Sequence, residues 1–491
     1  MKHFLTKSRF KAGLQCHKLL WWTAHEPDAS EIVSDPAACF IRDEGVRVGE
    51  VARALFPGGI LIDLPHDRVR ERVQATANAL AQDCPAIFEA TFVDSGVGVT
   101  VDILARDGRS YSLIEVKSST SIKDHHLWDV AVQAYVLRRA GLDVDAVEIM
   151  HLNPEFRSPK LHDLFVREAV SGRVRGFFPE IPALISAQLE VLAGPLPEVE
   201  VGEHCGEPYE CPFRSRCWPV LPRHHVETFY RLRQEKSAQL KAQDLALVNE
   251  VPDSFPLTII QQRQQRSVSK GEIQVEGDLA GALDPLKGRV AYLDFETVSL
   301  AIPAWEGLGP WQPHPVQFSC HIVSPDAELE HHEWLAEGPD DSRAAMAEAL
   351  VETLEDVDAV VAYNKAFEKR CLELISAGAP SHAPRLKAIG SKLHDLLPVV
   401  RDHVYHPDFL GSFSLKSVLP ALVPDLSYEP LEISQGQIAS ALLHRLLFLQ
   451  EPTDPAELAR LRQSLLDYCA LDTLALVRLK ETLDDLAHAR D

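Results

Sequence analysis

The alternation of hydrophobic and polar positions changes along the chain and divides it into three parts. Residues 1–225 combine helical and strand patterns, and they end near Pro219 and Pro222, which interrupt regular structure. Residues 226–287 follow a charged, helical pattern. From residue 288 strand and helix patterns alternate, which predicts an α/β domain. We therefore expect two α/β domains, 1–225 and 288–491, joined by a helical connector, 226–287.

The segment VAYLDFETV places two carboxylates on one face of a predicted core strand. Strand alternation puts Tyr292, Asp294 and Glu296 on one side, with Leu293 and Phe295 on the other. Burying two like charges side by side is costly unless a cation lies between them. Carboxylate oxygens are the ligands that hard divalent cations prefer, so this strand indicates a metal site.

Two further segments add acidic side chains. Asn364 is expected to cap a helix that follows an apolar strand, and Glu368 lies one turn into that helix, where it also suits the helix dipole. A long helix is predicted to begin at Asp454, with Pro455 in its first turn and Glu457 in the acidic position of a capping box.

Tyr468 and Asp472 lie on this long helix. They share one face because they are four residues apart. Since Asp472 stands among leucines, its charge requires a partner. Asp472 is therefore a fourth acidic candidate, after Asp294, Glu296 and Glu368.

The series D-x-E, N-x-x-F-E and Y-x-x-x-D resembles the DEDDy branch of the RNase H-like exonucleases, relatives of polymerase proofreading domains. The resemblance implies a metal-dependent 3′-to-5′ exonuclease in which Asp294 bridges two metal ions. It implies that Glu296, Glu368 and Asp472 complete the metal shells. It also implies that Tyr468 orients the attacking water.

Position 368 departs from the family pattern, which normally has Asp where this chain has Glu368. Asp395, in HDLLPVV, is a reserve candidate. The segment GSFSLKSVLP offers Ser412, Ser414 and Lys416 as contacts for backbone phosphate, although a capped helix explains these residues equally well.

The segment GVTVDILARDGRSYSLIEVKSST predicts a hairpin that turns at Gly108, next to Asp107. Glu115 and Lys117 share a face of its second strand, and Asp102 on the first strand can approach them. This pattern resembles the PD-(D/E)xK nucleases, which implies a restriction-endonuclease-like fold. In those nucleases the acids hold Mg²⁺ or Mn²⁺ and the lysine positions or activates the water.

A following helix, DHHLWDVAVQAYVLRRAG, carries Gln133 and Tyr135. It resembles the Gln-Tyr helix of the RecB-like branch, although that branch spaces the two residues by a full turn. The branch also has a histidine on an earlier helix. Here GVRVGEVARALFPGG offers Glu50 as a substitute ligand.

The chain contains nine cysteines, an odd number that argues against a disulfide framework. Cys16 together with Cys205, Cys211 and Cys217 resembles the arrangement in RecB-like nucleases related to CRISPR-associated exonucleases and exonuclease V. Those proteins bind an iron–sulfur cluster with one cysteine before the nuclease core and three after it. On ligand count alone, four thiolates suit a [4Fe-4S] cluster or a structural zinc equally. The resemblance favours an iron–sulfur cluster whose cysteine ligands join the two ends of the domain. We call this arrangement the clasp.

Composition narrows the possible partners and the compartment. The 491 residues are 46% hydrophobic and 25% charged, with a formal net charge of −23. No apolar run approaches the roughly 18 to 20 residues of a membrane span, so we expect a cytoplasmic protein without membrane contacts. Non-specific nucleic-acid binding depends on Lys and Arg, so the negative charge argues against a protein that coats nucleic acid.

Nucleic-acid contacts are therefore expected to be local. One group of basic residues lies in the first 18 residues, and another lies in 261–270. The first group consists of Lys2, Lys7, Arg9, Lys11 and Lys18. A solvated charged face explains either group equally well.

The order of a RecB-like module, cysteines, a connector and a DEDDy module resembles a bacterial family of fused nucleases. The resemblance implies a hydrolase that acts on DNA with free ends or single strands, in repair, processing or phage defence. A nucleic-acid-binding or partner-recruiting protein with one or both sites inactive is an alternative, and so is an RNA-processing exonuclease.

Overall fold

The computed structural model describes residues 4–33, 35–325, 329–427, 433, 435–449 and 454–489. The chain forms two compact units, each of which mixes helices and strands. The first unit comprises Met1–Pro219 and Leu300–Gln312, and the second comprises Val220–Ser299 and Pro313–Asp491. The mixed α/β class is confirmed. The predicted connector, 226–287, belongs to the second unit rather than forming a separate part.

The first unit is built around one sheet. Its strands are β1 (Leu5–Thr6), β2 (Ile60–Leu61), β3 (Ala86–Asp94), β4 (Val97–Asp107), β5 (Ser110–Lys117), β6 (Val144–Leu152) and β7 (Phe165–Ala169). Its helices are α1 (Lys7–Gln15), α2 (His17–His25), α3 (Pro36–Arg53), α4 (Val69–Leu80), α5 (Asp124–Arg139), α6 (Ser171–Arg175), α7 (Ile181–Ala193) and α8 (Arg214–Cys217). The strand order is β2-β3-β4-β5-β6-β7, and β1 pairs with β4.

The predicted hairpin is confirmed as β4 and β5, which pair in antiparallel fashion around Gly108 with φ +60°. Val99 and Val101 of β4 pack with Val130 of α5 in one hydrophobic core. On the other face of the sheet, Ile103 packs with Ala52 of α3. Helices α5 and α3 therefore cover opposite faces of this sheet.

The second unit contains two sheets among its described residues, a central mixed sheet of five strands and a sheet of two strands. Its strands are β8 (Gln274–Val275), β9 (Val290–Ser299), β10 (Pro313–Val323), β11 (Glu330–Leu335), β12 (Ala359–Ala362), β13 (Leu393–Asp395) and β14 (Val404–Tyr405). Its helices are α9 (Gln234–Ala242), α10 (Ile259–Lys270), α11 (Leu279–Leu283), α12 (Arg343–Leu354), α13 (Ala366–Gly378), α14 (Ala383–Ser391), α15 (Leu396–His403), α16 (Leu415–Leu422), α17 (Gly436–Phe448) and α18 (Pro455–His488).

The central sheet has the order β11-β10-β9-β12-β13. Strand β10 is antiparallel to β9 and β11, whereas β12 runs parallel to β9 and β13. Leu293 and Phe295 of β9 pack with Ile375 of α13, and Tyr292 packs with Leu476 of α18. The predicted division of β9 into two faces is confirmed.

The helical pattern predicted for residues 226–287 forms the separate short helices α9, α10 and α11 instead of one continuous helix. In residues 226–251 only α9 is an α-helix, and left-handed backbone at Arg231 (φ +48°) and Asp244 (φ +57°) interrupts the chain on either side. A left-handed residue cannot continue a right-handed helix. The helical pattern predicted α9 but not its ends.

The basic stretch 261–270 lies on α10, which packs inside the second unit. Arg263 is only 3% exposed, and it bonds to Glu276 and to the backbone carbonyls of Arg401 and Asp402. Arg266 also bonds to Glu276. These arginines hold neighbouring segments together, which corrects the prediction of a nucleic-acid surface here. Within the described residues, no helix is both long and apolar enough to cross a membrane.

Candidate functional site

The acid group of the second unit consists of Asp294 and Glu296 on β9 and Asp472 on α18. One ligand oxygen from each residue lies within 4.8 Å of the others, and such a group could hold a metal ion. The three residues line a cavity of about 400 Å³ that also contains Tyr468 and Phe367. The strand face and the helix face predicted from the sequence therefore meet at one place.

Burial and mutual repulsion oppose ionisation of the acid group. Burial raises the pKa of Asp294 well above its usual value, and the charges of Asp472, Glu296 and Glu368 raise it further. Burial, followed by the charge of Asp472, raises the pKa of Glu296 to about 8, while Lys416 opposes this effect. A bound cation would remove this repulsion, so the electrostatics fit a metal centre.

Glu368 on α13 lies close to the acid group but outside the 4.8 Å set. Its side chain is 3% exposed, and its Oε2 atom has no hydrogen-bond partner among the described residues. Burial raises the pKa of Glu368 to about 7, with a smaller contribution from Asp395. A buried carboxylate oxygen without a partner is costly, so this atom is suited to a ligand.

Asn364 does not cap α13 as predicted. Its backbone is left-handed, with φ +68°, and Lys365 occupies the N-cap position. Asp395 performs the capping, because its carboxylate accepts hydrogen bonds from the backbone N–H groups of Asn364 (2.9 Å), Lys365 (3.2 Å) and Leu397 (3.0 Å). The reserve candidate Asp395 therefore ties two strand–helix junctions together and lies outside the acid group.

Helix α18 carries Tyr468 to the cavity. Its predicted cap is confirmed, since the Asp454 side chain accepts from Ala456 N–H, whereas Glu457 pairs with Arg445 at 2.6 Å and forms no capping box. Burial, followed by the charge of Asp472, raises the pKa of Tyr468 above its usual value. The phenol therefore stays protonated and acts as a donor at neutral pH.

Three polar side chains of β10 hold α18 in place, and the motif reasoning missed them. Gln317 Nε2 donates to the carbonyl of Leu465 at 2.8 Å. Thr473 Oγ1 lies 2.8 Å from both Ser319 Oγ and His321 Nδ1. The signal in the sequence is the alternation Q-x-S-x-H in QFSCHIV, which places three polar groups on one face of a buried strand.

The serines of GSFSLKSVLP belong to the start of α16. Ser414 is its N-cap residue, and its hydroxyl lies 3.1 Å from Ser412 Oγ and 2.8 Å from Ser417 Oγ. Lys416 lies with its Nζ atom 5.8 Å from the centre of the Tyr468 ring. Lys416 is therefore the member of this segment that faces the acid group.

In the first unit, the structure brings together Asp102, Glu115, Lys117 and Gln133. Lys117 Nζ lies 2.6 Å from Glu115 Oε1, and Gln133 Nε2 donates to Glu115 Oε2 at 2.8 Å. Asp102 Oδ2 accepts from the backbone N–H of Val116 at 2.7 Å. Burial, followed by the charge of Glu115, raises the pKa of Asp102 to about 7.

Sequence reasoning missed Asp129 of α5, which is 1% exposed and joins this cluster. Its carboxylate lies 2.6 Å from Lys117 Nζ and 3.2 Å from Lys11 Nζ. Lys7 Nζ lies 2.9 Å from Glu115 Oε1, the oxygen that Lys117 also contacts. Although burial raises the pKa of Asp129, the charges of Lys7 and Lys117 hold it well below its usual value.

The prediction that the N-terminal basic residues form a nucleic-acid surface needs correction. Lys7 and Lys11 pair with buried carboxylates, and Lys18 Nζ donates to the carbonyl of Val199 at 3.0 Å. Arg9 Nη1 donates to the carbonyl of Phe4 at 3.0 Å. Lys2 lies outside the described residues.

The proposed substitute ligand Glu50 does not face the cluster. Its side chain is 60% exposed, and it does not line the adjoining cavity of about 360 Å³. Gly49 of α3 and Glu89 of β3 line that cavity together with Asp102. Tyr135 packs against the hydrophobic core instead of the site. The helix repeat explains the error, because adjacent residues such as 49 and 50 point about 100° apart.

The four predicted cysteines lie in one region of the first unit. The backbone N–H of Cys211 donates to the carbonyl of Cys205 at 2.8 Å. Burial raises the pKa of the Cys211 thiol, and Cys16, Cys205 and Cys217 contribute further. Within the described part of the chain, no three of these sulfur atoms lie within 4.8 Å of one another. Cys16 and Cys217 pack against the hydrophobic cluster that contains Cys211, so Cys16 lies near this group, and the clasp stays a prediction.

Comparison with known proteins yields one family match. The model of a domain of unknown function, DUF2779, matches residues 291–414. The matched segment contains Asp294, Glu296 and Glu368, and it ends before Tyr468 and Asp472. No curated protein matches the chain.

Proposed function

We propose that the second unit is a metal-dependent exonuclease that hydrolyses the 3′-terminal phosphodiester bonds of DNA. The observation that carries this proposal is the acid group, in which Asp294, Glu296 and Asp472 converge within 4.8 Å at one cavity. A cavity of about 400 Å³ is of the size that accepts a small ligand, which suits a single terminal nucleotide.

The strand order supports an RNase H-like arrangement for this unit. The first acidic motif lies on β9 at the centre of the order β11-β10-β9-β12-β13, the second follows β12, and the third lies on α18. The three residues of the acid group lie on β9 and α18, and Glu368 lies on α13. This arrangement of the motifs supports the proposal.

The acid group would hold divalent metal ions, with Glu368 as a further ligand through its unpaired Oε2 atom. Such ions supply a nucleophilic water at neutral pH and stabilise the leaving oxygen. Tyr468 contributes a protonated hydroxyl that can orient this water. Phe367, which is 38% exposed and lines the cavity, offers a ring on which the terminal base can stack.

We propose a PD-(D/E)xK nuclease site for the first unit. Asp102 and Glu115 would hold Mg²⁺ or Mn²⁺, Lys117 would position the water, and Gln133 orients Glu115. The convergence of these four side chains supports the proposal. Each comes from the strand or helix that the motif assigns to it.

We further propose that the four cysteines hold a [4Fe-4S] cluster. A tetrahedral zinc with Zn–S bonds of about 2.3 Å would place the sulfurs about 3.8 Å apart. Since four thiolates suit either group on ligand count, the choice of iron rests on the resemblance to the RecB-like nucleases. Iron and sulfide analysis of protein purified without oxygen tests this assignment.

One observation favours the alternative of a nucleic-acid-binding first unit without hydrolytic activity. Lys7 and Lys117 both contact Glu115 Oε1, so the acids of this site are neutralised without a metal ion. In the second unit Lys416 lowers the pKa of Glu296, but burial and the charge of Asp472 still raise it to about 8.

The proposed functions are tested with the full chain, Mn²⁺, and matched DNA and RNA strands labelled at either end. Asp294→Asn should abolish 3′ trimming, whereas Asp467→Asn, on an exposed residue of α18, should not. Asp102→Asn in the Asp294→Asn background should remove any remaining cleavage. If it changes nothing, the first unit is not a nuclease. Faster trimming of the RNA strand would assign the second unit to RNA.

A further inference from the structure

One wall of the cavity in the first unit is a single face of α3. The residues of this face are Arg42, Gly45, Val46, Gly49 and Arg53. Their spacing of three, four, seven and eleven residues from Arg42 places them on one side of a helix. We call this the arginine–glycine face. The same cavity is lined by Asp102, Glu115 and Lys117, so the face borders the proposed nuclease site.

Packing does not explain the two glycines of this face. A Cβ atom added at Gly45 or Gly49 would meet no atom within 4 Å. By contrast, a Cβ atom at Gly13 of α1 would lie 2.4 Å from Gln188, so that glycine allows a close contact. Glycine inside a helix is less stable than alanine, and here no neighbour requires it. The glycines keep the cavity open.

The two arginines stand at opposite ends of the glycine gap, about 16 Å apart along the helix axis. Arg42 is 61% exposed at its side chain and lies 3.9 Å from Asp43. Arg53 lies 4.0 Å from both Glu50 and Glu89. These distances exceed those of hydrogen bonds, so among the described residues neither guanidinium is held by a close carboxylate. Arg42 Nη2 donates to Cys39 Sγ at 3.3 Å.

Arg72 in the same unit differs from Arg42 and Arg53 in its burial and in its hydrogen bonds. It is 2% exposed, and it donates to Thr91 and to the carbonyl of Glu89. Such an arginine stabilises the fold. The arginines of the arginine–glycine face instead present a fork geometry that matches phosphate oxygens.

We propose that the arginine–glycine face binds the sugar–phosphate backbone of a single nucleic-acid strand and directs it to Asp102, Glu115 and Lys117. The proposal rests on the proposed function of the first unit and adds the wall that holds its substrate. The glycine gap leaves room for the strand, and the arginines contact phosphates on either side of it. Backbone contacts of this kind carry no base preference, so binding should not depend on sequence.

A variant that fills the gap tests the steric part of the proposal. In full-length protein with Asp294→Asn, the change Gly49→Leu should not lower the unfolding temperature, because leucine forms helix better than glycine and the space is open. It should weaken binding of a single-stranded oligonucleotide about tenfold. Gly172→Leu is the matched control, since a Cβ atom there also meets nothing within 4 Å and Gly172 does not line the cavity.

Two arginine variants test the charge part. Arg42→Gln and Arg53→Gln should each weaken binding of the oligonucleotide. Each should also reduce the slope of log affinity against log salt concentration by about one. Arg47→Gln is the control on the same helix, because Arg47 does not line the cavity and lies 3.6 Å from Glu44. An oligonucleotide with an azidophenacyl group on one backbone phosphorothioate should cross-link to residues 36–53, as mapped by mass spectrometry.

The results separate this proposal from the nuclease assignment. If Gly49→Leu and both arginine variants bind like their controls, and the probe does not cross-link to residues 36–53, the strand-binding proposal is wrong. If cross-linking persists but Asp102→Asn changes no cleavage, the strand-binding face stands and the first unit does not hydrolyse. If Asp102→Asn abolishes cleavage while the α3 variants change neither binding nor cleavage, only the nuclease assignment stands.

Discussion

Ligand oxygens of Asp294 and Asp472 lie within 4.8 Å of each other, and burial raises the pKa of Asp294 while the charge of Asp472 raises it further. The electrostatic cost of this arrangement in the metal-free protein is the basis of the first two predictions.

Asp472→Asn should make the metal-free protein more stable and remove its response to metal. Loss of one like charge relieves the repulsion with Asp294, and we expect a gain of roughly 1 kcal/mol in the free energy of unfolding. Mn²⁺ should raise the unfolding temperature of the unmodified protein but not of the variant. Scanning calorimetry with and without Mn²⁺ measures both effects, with Asp467→Asn as control. A destabilised metal-free variant would contradict this account.

The free energy of unfolding of the metal-free protein should fall as pH rises, and the increase in unfolding temperature on adding Mn²⁺ should become larger. The pKa of Glu296 is raised to about 8 and that of Glu368 to about 7, compared with about 4.3 in an unfolded chain. Because the folded pKa values are raised, their contribution to stability is complete below pH of about 4.3 and is lost as pH rises through about 7 to 8.

Metal binding displaces these protons, so Mn²⁺ affinity should increase over the same range. Unfolding temperatures measured between pH 5.5 and 8.5, with and without Mn²⁺, test the direction of this pH dependence. Glu296→Gln should flatten the profile of the metal-free protein. An Mn²⁺ effect that is independent of pH would be evidence against a site built from these carboxylates.

Glu368→Gln should lower the turnover of 3′ trimming about 100-fold. The substitution removes the charge of the carboxylate that we propose as a further metal ligand beside the acid group. The KM for DNA should change little, since the variant keeps the size of the side chain. Glu373→Gln, an exposed position on the same helix, is the control. Unchanged turnover in Glu368→Gln would show that this carboxylate is structural.

Lys7→Met should increase the Mn²⁺ affinity of the first unit about tenfold, because the Lys7 ammonium competes with a cation for Glu115 Oε1. Calorimetric titration in the Asp294→Asn background isolates this site. Lys18→Met, which removes a lysine that contacts Val199 instead of the site, is the control. A weaker Mn²⁺ affinity in Lys7→Met would mean that Lys7 supports the site.

Cys211→Ser should reduce bound iron and lower the unfolding temperature of the first unit. Cys211 is buried beside Cys205 and contacts the cluster of Leu19, Trp22 and Phe213, so loss of a ligand there would also loosen this packing. Cys39→Ser, at a cysteine outside the group, should retain iron. Equal iron in both variants would contradict the clasp.

Local periodicity was sufficient to predict several elements of the candidate sites. The two faces of β9 follow from strand alternation, and Tyr468 and Asp472 follow from the helical repeat of α18. The hairpin of β4 and β5 follows from Gly108 and the flanking alternation. These features depend on residues that are close in the sequence, so a single sequence is sufficient to predict them.

Features that depend on tertiary position were not predictable in this way. Lys7 is a partner of Glu115 only because the fold brings the start of α1 to a residue 108 positions away in the sequence. Asp395 caps α13 because β12 and β13 are neighbours in the sheet. A sequence pattern favours Glu50 over Gly49 as a site residue, because glycine has no side chain that could bind a metal ion. In the structure Gly49 lines the cavity.

The release of 3′-terminal nucleotides from single-stranded DNA in Mn²⁺ tests the central claim most directly. The unmodified chain should shorten a 5′-labelled strand stepwise from its 3′ end. Asp294→Asn should slow this release at least about 100-fold, and Asp467→Asn should leave it unchanged. Equal rates of release in the Asp294→Asn variant and the unmodified chain would contradict the assignment of the acid group as the exonuclease site.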